Sequence, residues 1–372
     1  MKLTIDRAAL LKTLAHVQSV VERRNTIPIL SNVLIEVGED KLSLTATDMD
    51  LTIVDAVPAE VAEPGATTAP AHTFYDIVRK LPEGAEVEIS STGDGARIRL
   101  KAGRSVFTLA TLPREDFPAP GAADLPHQFG LQPAELQHLI DRTKFAISTE
   151  ETRYYLNGIY LHAADASDLP VLRAVATDGH RLARFEMPLP EGAAGMPGVI
   201  VPRKTILELR KLIEEGDETV GVSLSDTRIQ FAFASTVLTS KLIDGTFPDY
   251  ERVIPSGNDK VIQVDCQTFA AAVDRVSTIS TEKSRAVKLA IGDGGITLSA
   301  TSPENGTATE EVEATYGGPG IEIGFNARYL LDIAQQIEGS EAEFSLADSA
   351  SPTIVRDVAD ASALYVLMPM RV

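Results

Sequence analysis

Cysteine is almost absent from this chain: its 372 residues include one, Cys266. A single thiol closes no internal disulfide, which fits a reducing cytoplasm and leaves Cys266 as an inert, partly buried side chain. Long apolar runs are missing too. None reaches the roughly 18 residues that span a bilayer, so no membrane segment is expected. The opening MKLTIDRAALLKTL sets Asp6 and Arg7 where a signal peptide needs an unbroken apolar stretch, and export is not expected. Basic charge is in deficit, with 34 Lys and Arg against 53 Asp and Glu and a formal net charge of −19. Taken alone, that sum argues against nucleic acid, because phosphates are repelled by an acidic surface. A sum does not exclude a basic face on an acidic molecule. Signatures of catalysis are also missing: there is no HExxH, GxSxG, GxxxxGKS/T or strand-linked GxGxxG.

What the chain has instead is a repeat. LSLTATDMD, LRAVATDGH and ITLSATSPE each end a strand in a small-Thr-polar turn, and their threonines, Thr47, Thr177 and Thr301, lie 130 and 124 residues apart. FYDIVRKLPEGAEVEIS, ILELRKLIEEGDETVGVSLS and YLLDIAQQIEGSEAEFSL each read helix, glycine stop, strand, with the stops at Gly84, Gly216 and Gly339. Each unit opens on a helix; in the first, Leu10, Leu14, Val17 and Val21 form one apolar stripe. Phe117-Pro118 and Phe247-Pro248 link two copies. Three homologous domains of ~120 residues are expected, 1–125, 126–255 and 256–372, each large enough to own a core. Alternating strands such as ARIRLKA and RIQFAFA predict α+β domains, each with a mostly antiparallel sheet and two helices covering one face.

The repeat register places the final ALYVLMPMRV opposite SVFTLATLPRE and STVLTSKLIDG. ALYVL is then a last strand. MPMRV is not explained that way, since Pro369 cannot donate to a ladder. Helix periodicity gathers basic residues on outward faces: Lys12, His16, Ser19 and Arg23 with Arg24; His138 and Arg142 with Lys144; Arg79 and Lys80; Arg203, Lys204, Arg210 and Lys211; and, more sparsely, Arg275, Lys283, Arg285 and Arg328. Asp48 with Asp50, and Asp178 with His180, resemble pieces of a metal or acid–base site. The third copy, SATSPENG, lacks both the second Asp and the His, so a turn in which Asp bonds its own backbone is expected. No catalytic residue, metal or cofactor is assigned.

RYYLNG at 153–158, TDGHRL at 177–182, SKLIDGTFPDYERV at 240–253, GFNARYLLDI at 324–333 and the terminal MPMRV closely resemble the bacterial DNA sliding clamp, the beta subunit of the replicative DNA polymerase III, and the resemblance runs the length of the chain. It implies a non-catalytic, cytoplasmic processivity factor. Two chains would pair head to tail as a homodimer, a closed ring of six domains. Twelve helices would line a pore around double-stranded DNA, read without sequence preference. The strand around Phe107 and Leu109 would meet the partner chain near Ile279. DNA contacts fall at Arg24, Tyr154 and Tyr155, and at His72 and Glu150, where better-known clamps carry a basic residue and a Gln; Glu150 would not attract phosphate.

The resemblance also gives MPMRV a purpose. Partners such as the polymerase alpha subunit, the clamp loader delta subunit and other proteins with a clamp-binding motif would insert a short peptide with Gln and Leu/Phe anchors into a hydrophobic pocket between domains two and three. Its residues are Leu156, Thr177, Gly179, His180, Arg181, Leu182, Pro248, Arg252, Val253, Asn326, Tyr329, Val366, Met368, Pro369, Met370 and Arg371. Ser284 stands where another clamp has Phe and Pro352 where it has Ser, which implies shifted affinity and partner preference. Two other classes compete: a metal-dependent enzyme built on Asp48, Asp50, Asp178 and His180, and a monomeric peptide-binding scaffold without DNA.

Overall fold

The computed structural model describes residues 1–371 except 94, 120, 122, 167–168, 214–217 and 281–284. Gly216, Lys283, Ser284 and the last residue of MPMRV therefore lie outside the described residues. The first repeat runs β1 (Lys2–Asp6), α1 (Arg7–Gln18), β2 (Asn32–Val37), β3 (Lys41–Thr47), β4 (Leu51–Pro58), β5 (Glu60–Glu63), β6 (Gly65–Pro70), α2 (Ala71–Lys80), β7 (Glu86–Ser91), β8 (Arg97–Ala102) and β9 (Ser105–Ala110). The second runs β10 (His127–Leu131), α3 (Pro133–Asp141), β11 (Gly158–Ala166), β12 (Leu169–Thr177), β13 (Arg181–Pro188), β14 (Val199–Pro202), α4 (Arg203–Leu212), β15 (Val220–Leu224), β16 (Arg228–Phe233) and β17 (Thr236–Lys241). The third runs β18 (Lys260–Asp265), α5 (Cys266–Ser277), β19 (Ala286–Gly292), β20 (Gly295–Ser302), β21 (Gly306–Glu313), β22 (Ile321–Asn326), α6 (Ala327–Ala334), β23 (Glu341–Leu346), β24 (Thr353–Asp357) and β25 (Ala363–Leu367).

Local chemistry sets the element ends. Asp6 caps α1 by accepting from the N–H groups of Ala8 and Ala9, and Asp265 caps α5 through Thr268. Behind its cap α1 buries Leu10, Leu14 and Val17, as the stripe predicts. In β8, Ile98, Leu100 and Ala102 are buried while Arg97, Arg99 and Lys101 are exposed. The glycine stops are not equivalent. Gly84 does take a left-handed conformation, φ 73°, in the turn after α2. Gly339 does not; a Cβ there would meet Asp357 Oδ1 at 2.4 Å, and its N–H donates to Asp357 Oδ2 at 2.8 Å. It is glycine because a carboxylate needs the room.

Strand order departs from one sheet per repeat. Among the described residues four sheets run β5-β1-β7-β8-β9, β10-β15-β16-β17-β4-β3-β2-β6, β14-β11-β12-β13-β25-β24-β23-β18 and β21-β20-β19-β22. Each repeat thus feeds two sheets, and the two long ones cross repeat boundaries through antiparallel ladders, β17 on β4 and β25 on β13, each five residue pairs long. Compactness follows the ladders rather than the repeats. One compact unit comprises residues 1–134, 190–196 and 204–242; the other comprises 135–189, 197–203 and 243–372.

In the repeat register β9, β17 and β25 are equivalent, as are β4, β13 and β21. β17 and β25 each have a partner strand on both sides. Among the described residues β9 is bonded only to β8, and β21 only to β20. Burial records the difference at one ladder position, where Leu238 faces Phe231, Tyr365 faces Val355 and Phe107 faces Leu100: Leu238 and Tyr365 are 0% exposed, and Phe107 of β9 is 37% exposed.

Helix faces also depart from the periodicity. His16 turns to the sheet, with Nδ1 2.7 Å from Asp55 Oδ2. Ser19 Oγ donates to Glu208 Oε2 at 2.6 Å. Arg142 is buried in a 2.7 Å ion pair with Glu338. A +4 step fixes an angle about the helix axis but not where the sheet lies, and residues beside the apolar stripe graze it. Arg23, Arg24, Arg79, Lys80, Arg203, Lys211, Arg275 and Arg328 remain exposed.

Candidate functional site

A cavity of about 260 Å³ opens in the second unit, where the second and third repeats share a sheet. Its base is set by register: Leu182 of β13 lies opposite Val366 of β25. One wall is the β12–β13 turn. Thr177 Oγ1 accepts the N–H of Gly179 at 3.1 Å and donates to the Arg181 carbonyl at 2.7 Å. Asp178 Oδ1 accepts the N–H groups of His180 and Arg181 at 2.9 and 3.1 Å. Gly179 sits at φ 88°, so the turn demands glycine, and the Arg153 guanidinium packs against the space a Cβ would take. Leu156 and Tyr155 form a second wall, and Pro248, Asp249, Tyr250 and Val253 a third. Met368, about two-fifths exposed, closes the fourth side.

The tail is a strap. Met368 N–H donates to the His180 carbonyl at 2.9 Å, and Met370 N–H to the Gly324 carbonyl at 2.7 Å. Pro369 falls between the two donors, where the two-residue alternation asks for no N–H. MPMRV thus does not extend β25 but bridges two sheets.

Arg181 is buried and supports the turn from beneath. Its Nε donates to Asp178 Oδ2 at 3.2 Å, and its two terminal nitrogens to Asp332 Oδ2 at 2.5 Å and the Phe145 carbonyl at 2.6 Å. The guanidinium lies over the rings of Tyr329 at 4.3 Å and Phe145 at 5.2 Å. His180 stacks on Tyr329 at 6.5 Å.

Of the residues expected at the pocket, Leu156, Thr177, Gly179, Arg181, Leu182, Pro248, Val253, Val366 and Met368 line the cavity. His180, Tyr329, Pro369 and Met370 are tied to its walls. Asn326 caps α6, Arg252 is exposed in a 2.8 Å pair with Asp249, and Arg371 is exposed. Arg153, Asp249 and Tyr250 are wall residues not foreseen, although each lies inside a quoted motif; Tyr155, expected on DNA, also lines the cavity. Pro352 is outside the lining, its carbonyl accepting from Asn258 Nδ2 at 2.9 Å.

Among residues expected at DNA, Arg24 is exposed and Tyr154 is 53% exposed, edge-on to Tyr155 at 5.8 Å. His72 has both ring nitrogens engaged, Nδ1 with Gln18 Oε1 and Nε2 with the Val21 carbonyl, each at 2.8 Å. Glu150 grips Arg153 with both oxygens, at 2.8 and 2.7 Å, and that bond holds its carboxyl below the usual range. Phe107 and Leu109 lie on β9, and Ile279 follows α5, half-buried.

The carboxylates that resemble a metal site are occupied otherwise. Asp48 Oδ1 accepts the N–H groups of Asp50 and Leu51, and Oδ2 pairs with Lys204 at 2.5 Å. Asp50 pairs with Lys241 at 2.9 Å. Among the described residues no cluster of three His, Cys, Asp or Glu could hold a metal ion. Cys266 is buried, and burial pushes its thiol up to about 11. No helix of the described residues is long and apolar enough to cross a membrane.

Family models for the DNA polymerase III beta subunit match the chain three times in order: the N-terminal domain over residues 1–120, the central domain over 130–249 and the C-terminal domain over 251–371. The beta sliding clamp of Caulobacter vibrioides is 59% identical over 372 residues, covering both chains completely. A crystal structure of the C. crescentus beta sliding clamp with polyethylene glycol bound superposes with a TM-score of 0.98, at 59% identity, over 100% of this chain and 99% of that one. The sliding clamp of Bartonella birtlesii, solved bound to griselimycin, gives 0.97 at 50% identity with both chains fully covered. Three repeats, a cavity at the second sheet junction and these matches along the full length agree: the chain belongs to the beta sliding clamp family, the beta subunits of DNA polymerase III.

Proposed function

We propose that two copies of this chain join head to tail into a closed ring around duplex DNA, sliding freely and tethering the replicative polymerase. The observation that carries this reading is that β9 and β21, equivalent to strands joined at the two junctions, are sheet edges among the described residues. Within the chain, β17 meets β4 and β25 meets β13. The same pairing continued once more would set β9 of one copy on β21 of the next. Such a heterologous contact closes into a ring when the rotation permits. Charge supports the pairing: Arg97, Arg99 and Lys101 are exposed on β8 next to β9, with Arg104 in the turn between them, and Glu311 and Glu313 are exposed on β21, where Glu310 already pairs with Arg275 at 2.5 Å. Phe107 and Leu109 would pack in that contact, with Ile279 beside it.

The domains follow the repeats, with boundaries near 125 and 255. Exposed basic residues on the helices, with Arg24 and Tyr154, meet phosphates weakly and without reading sequence. A topological tether needs no tight grip, and weak contacts favour sliding. His72 and Glu150 keep their internal partners and leave the phosphates to others. The apolar cavity takes a short partner peptide with Gln and Leu/Phe anchors, delivered by the polymerase alpha subunit, the clamp loader delta subunit and other proteins sharing the motif. The Met368 thioether suits a site with several partners. The protein works in the cytoplasm and catalyses no reaction of its own.

The test removes the five residues from Met368 onward. Polymerase and clamp-loader binding should vanish while the dimer mass in solution is unchanged. A truncated chain that binds both partners normally would refute the docking assignment.

A further inference from the structure

The docking cavity has one wall with no strand or α-helix of its own. Pro248, Asp249, Tyr250 and Val253 belong to an irregular segment with one short 3-10 turn, Tyr250–Val253. Most of this segment faces solvent, and the Val253 side of it is half-exposed. A wall of that kind holds its place only if side chains pin it.

Phe247 and Tyr250 are packed in an apolar cluster with Leu156 and Leu182, and the polar pins converge on one buried charge. Arg173 of β12 is 6% exposed and lines no part of the cavity. Its Nε donates to Glu186 Oε2 at 2.7 Å, within the sheet. One terminal nitrogen donates both to the Tyr250 hydroxyl at 3.2 Å and to Glu251 Oε1 at 2.7 Å, on the wall. Burial opposes the guanidinium's charge, but the bonds to Glu186 and Tyr250 overcome it, so the ion is held firmly. The Tyr250 hydroxyl also lies 2.9 Å from His162 Nε2, and Phe247 stacks on Tyr160 at 4.9 Å.

We propose that Arg173 is a positioning residue for partner docking: it fixes the Pro248–Val253 wall against β12 and so keeps the cavity at the width a peptide needs. This rests on the docking reading above. Lysine cannot substitute, because one ammonium does not reproduce a planar fork that serves the sheet on one edge and the wall on another. Tyr250 lines the cavity and Arg173 does not, so loss of Arg173 reaches a docked peptide through the wall.

The experiment uses the full-length dimer and a fluorescent synthetic peptide with Gln and Leu/Phe anchors, read by anisotropy well below the melting temperature. Arg173→Gln should weaken binding about tenfold, as expected when charged hydrogen bonds holding the wall are lost. Arg173→Lys should not restore it. Hydrogen exchange should quicken at residues 247–254 and stay at the parental rate in β9 and β21. Tyr250→Phe keeps the ring and removes the hydroxyl; its loss and that of Arg173→Gln should not add. Glu251→Gln, at an exposed position, should give a smaller loss in the same direction. Parental affinity in folded Arg173→Gln, or parental affinity in Glu251→Gln with additive losses for the other two, overturns the proposal. Met368→Asp and Val253→Asp separate the two readings. If neither changes binding, the peptide docks elsewhere and the docking reading falls, taking this proposal with it.

Discussion

Phe107→Ala should take the ring apart, and the structure gives the size of the effect. Phe107 is 37% exposed on β9, while the equivalent Leu238 and Tyr365, which have a neighbouring strand, are 0% exposed. Closing the edge therefore hides roughly 70 Å² of the ~200 Å² that an aromatic side chain can bury. At ~25 cal/mol per Å² this is ~2 kcal/mol for each contact. Two contacts close a ring of two chains, so truncation to Ala should cost ~3 to 4 kcal/mol, a weakening of the dimer by a few hundredfold. Sedimentation velocity over a dilution series measures it directly. Val358→Ala, a similarly exposed position away from both edges, serves as the control and should change nothing. A dimer constant shifted less than about tenfold by Phe107→Ala would refute the edge-to-edge contact.

Two further outcomes follow from buried groups. Burial works against charge on Asp55, but hydrogen bonds from His16, Ser235 and Thr236 outweigh it and hold the carboxyl below its ordinary 3.8. A depressed folded value means stability that is present above pH ~3.8 and lost as the pH falls through the folded value. Asp55→Asn should lower the melting temperature at pH 7 by a few degrees, about 1–3 kcal/mol, and calorimetry should find the gap closing below pH ~3.8; an unchanged gap would rule the charge out. Cys266, its thiol pushed up to about 11, should alkylate far more slowly at pH 8 than a free cysteine, speed up toward pH 11, and react at once in urea. Rapid modification of the folded chain at pH 8, followed by mass spectrometry, would contradict its burial.

The sequence carried the repeat, the helix starts and the turn chemistry because each depends on neighbours in the chain. Asp6 caps α1 within three residues, and Thr47 and Thr177 close their turns within four. Side chains that act across the sheet were less legible. His16 and Arg142 carry the right spacing for an outward face, yet each finds a carboxylate on another element, Asp55 and Glu338. The joining of sheets across repeats was hidden for a similar reason. SVFTLA and TVLTSK alternate alike, and nothing local says that one has a partner strand on both sides and the other has not. Most of the cavity was reached through the resemblance. Arg153 and Tyr250 escaped although they sit inside RYYLNG and FPDYERV, because their part in the wall depends on Gly179 and Arg173, which are distant in the chain.

Encirclement is a topological property, and retention on DNA reads it out. The protein is loaded onto nicked circular plasmid with its clamp loader and ATP, passed through a sizing column at moderate salt, and the run is repeated after one linearising cut. A closed ring stays on the circle and runs off the linear form. Equal retention on both would mean ordinary phosphate affinity, and the ring would be contradicted.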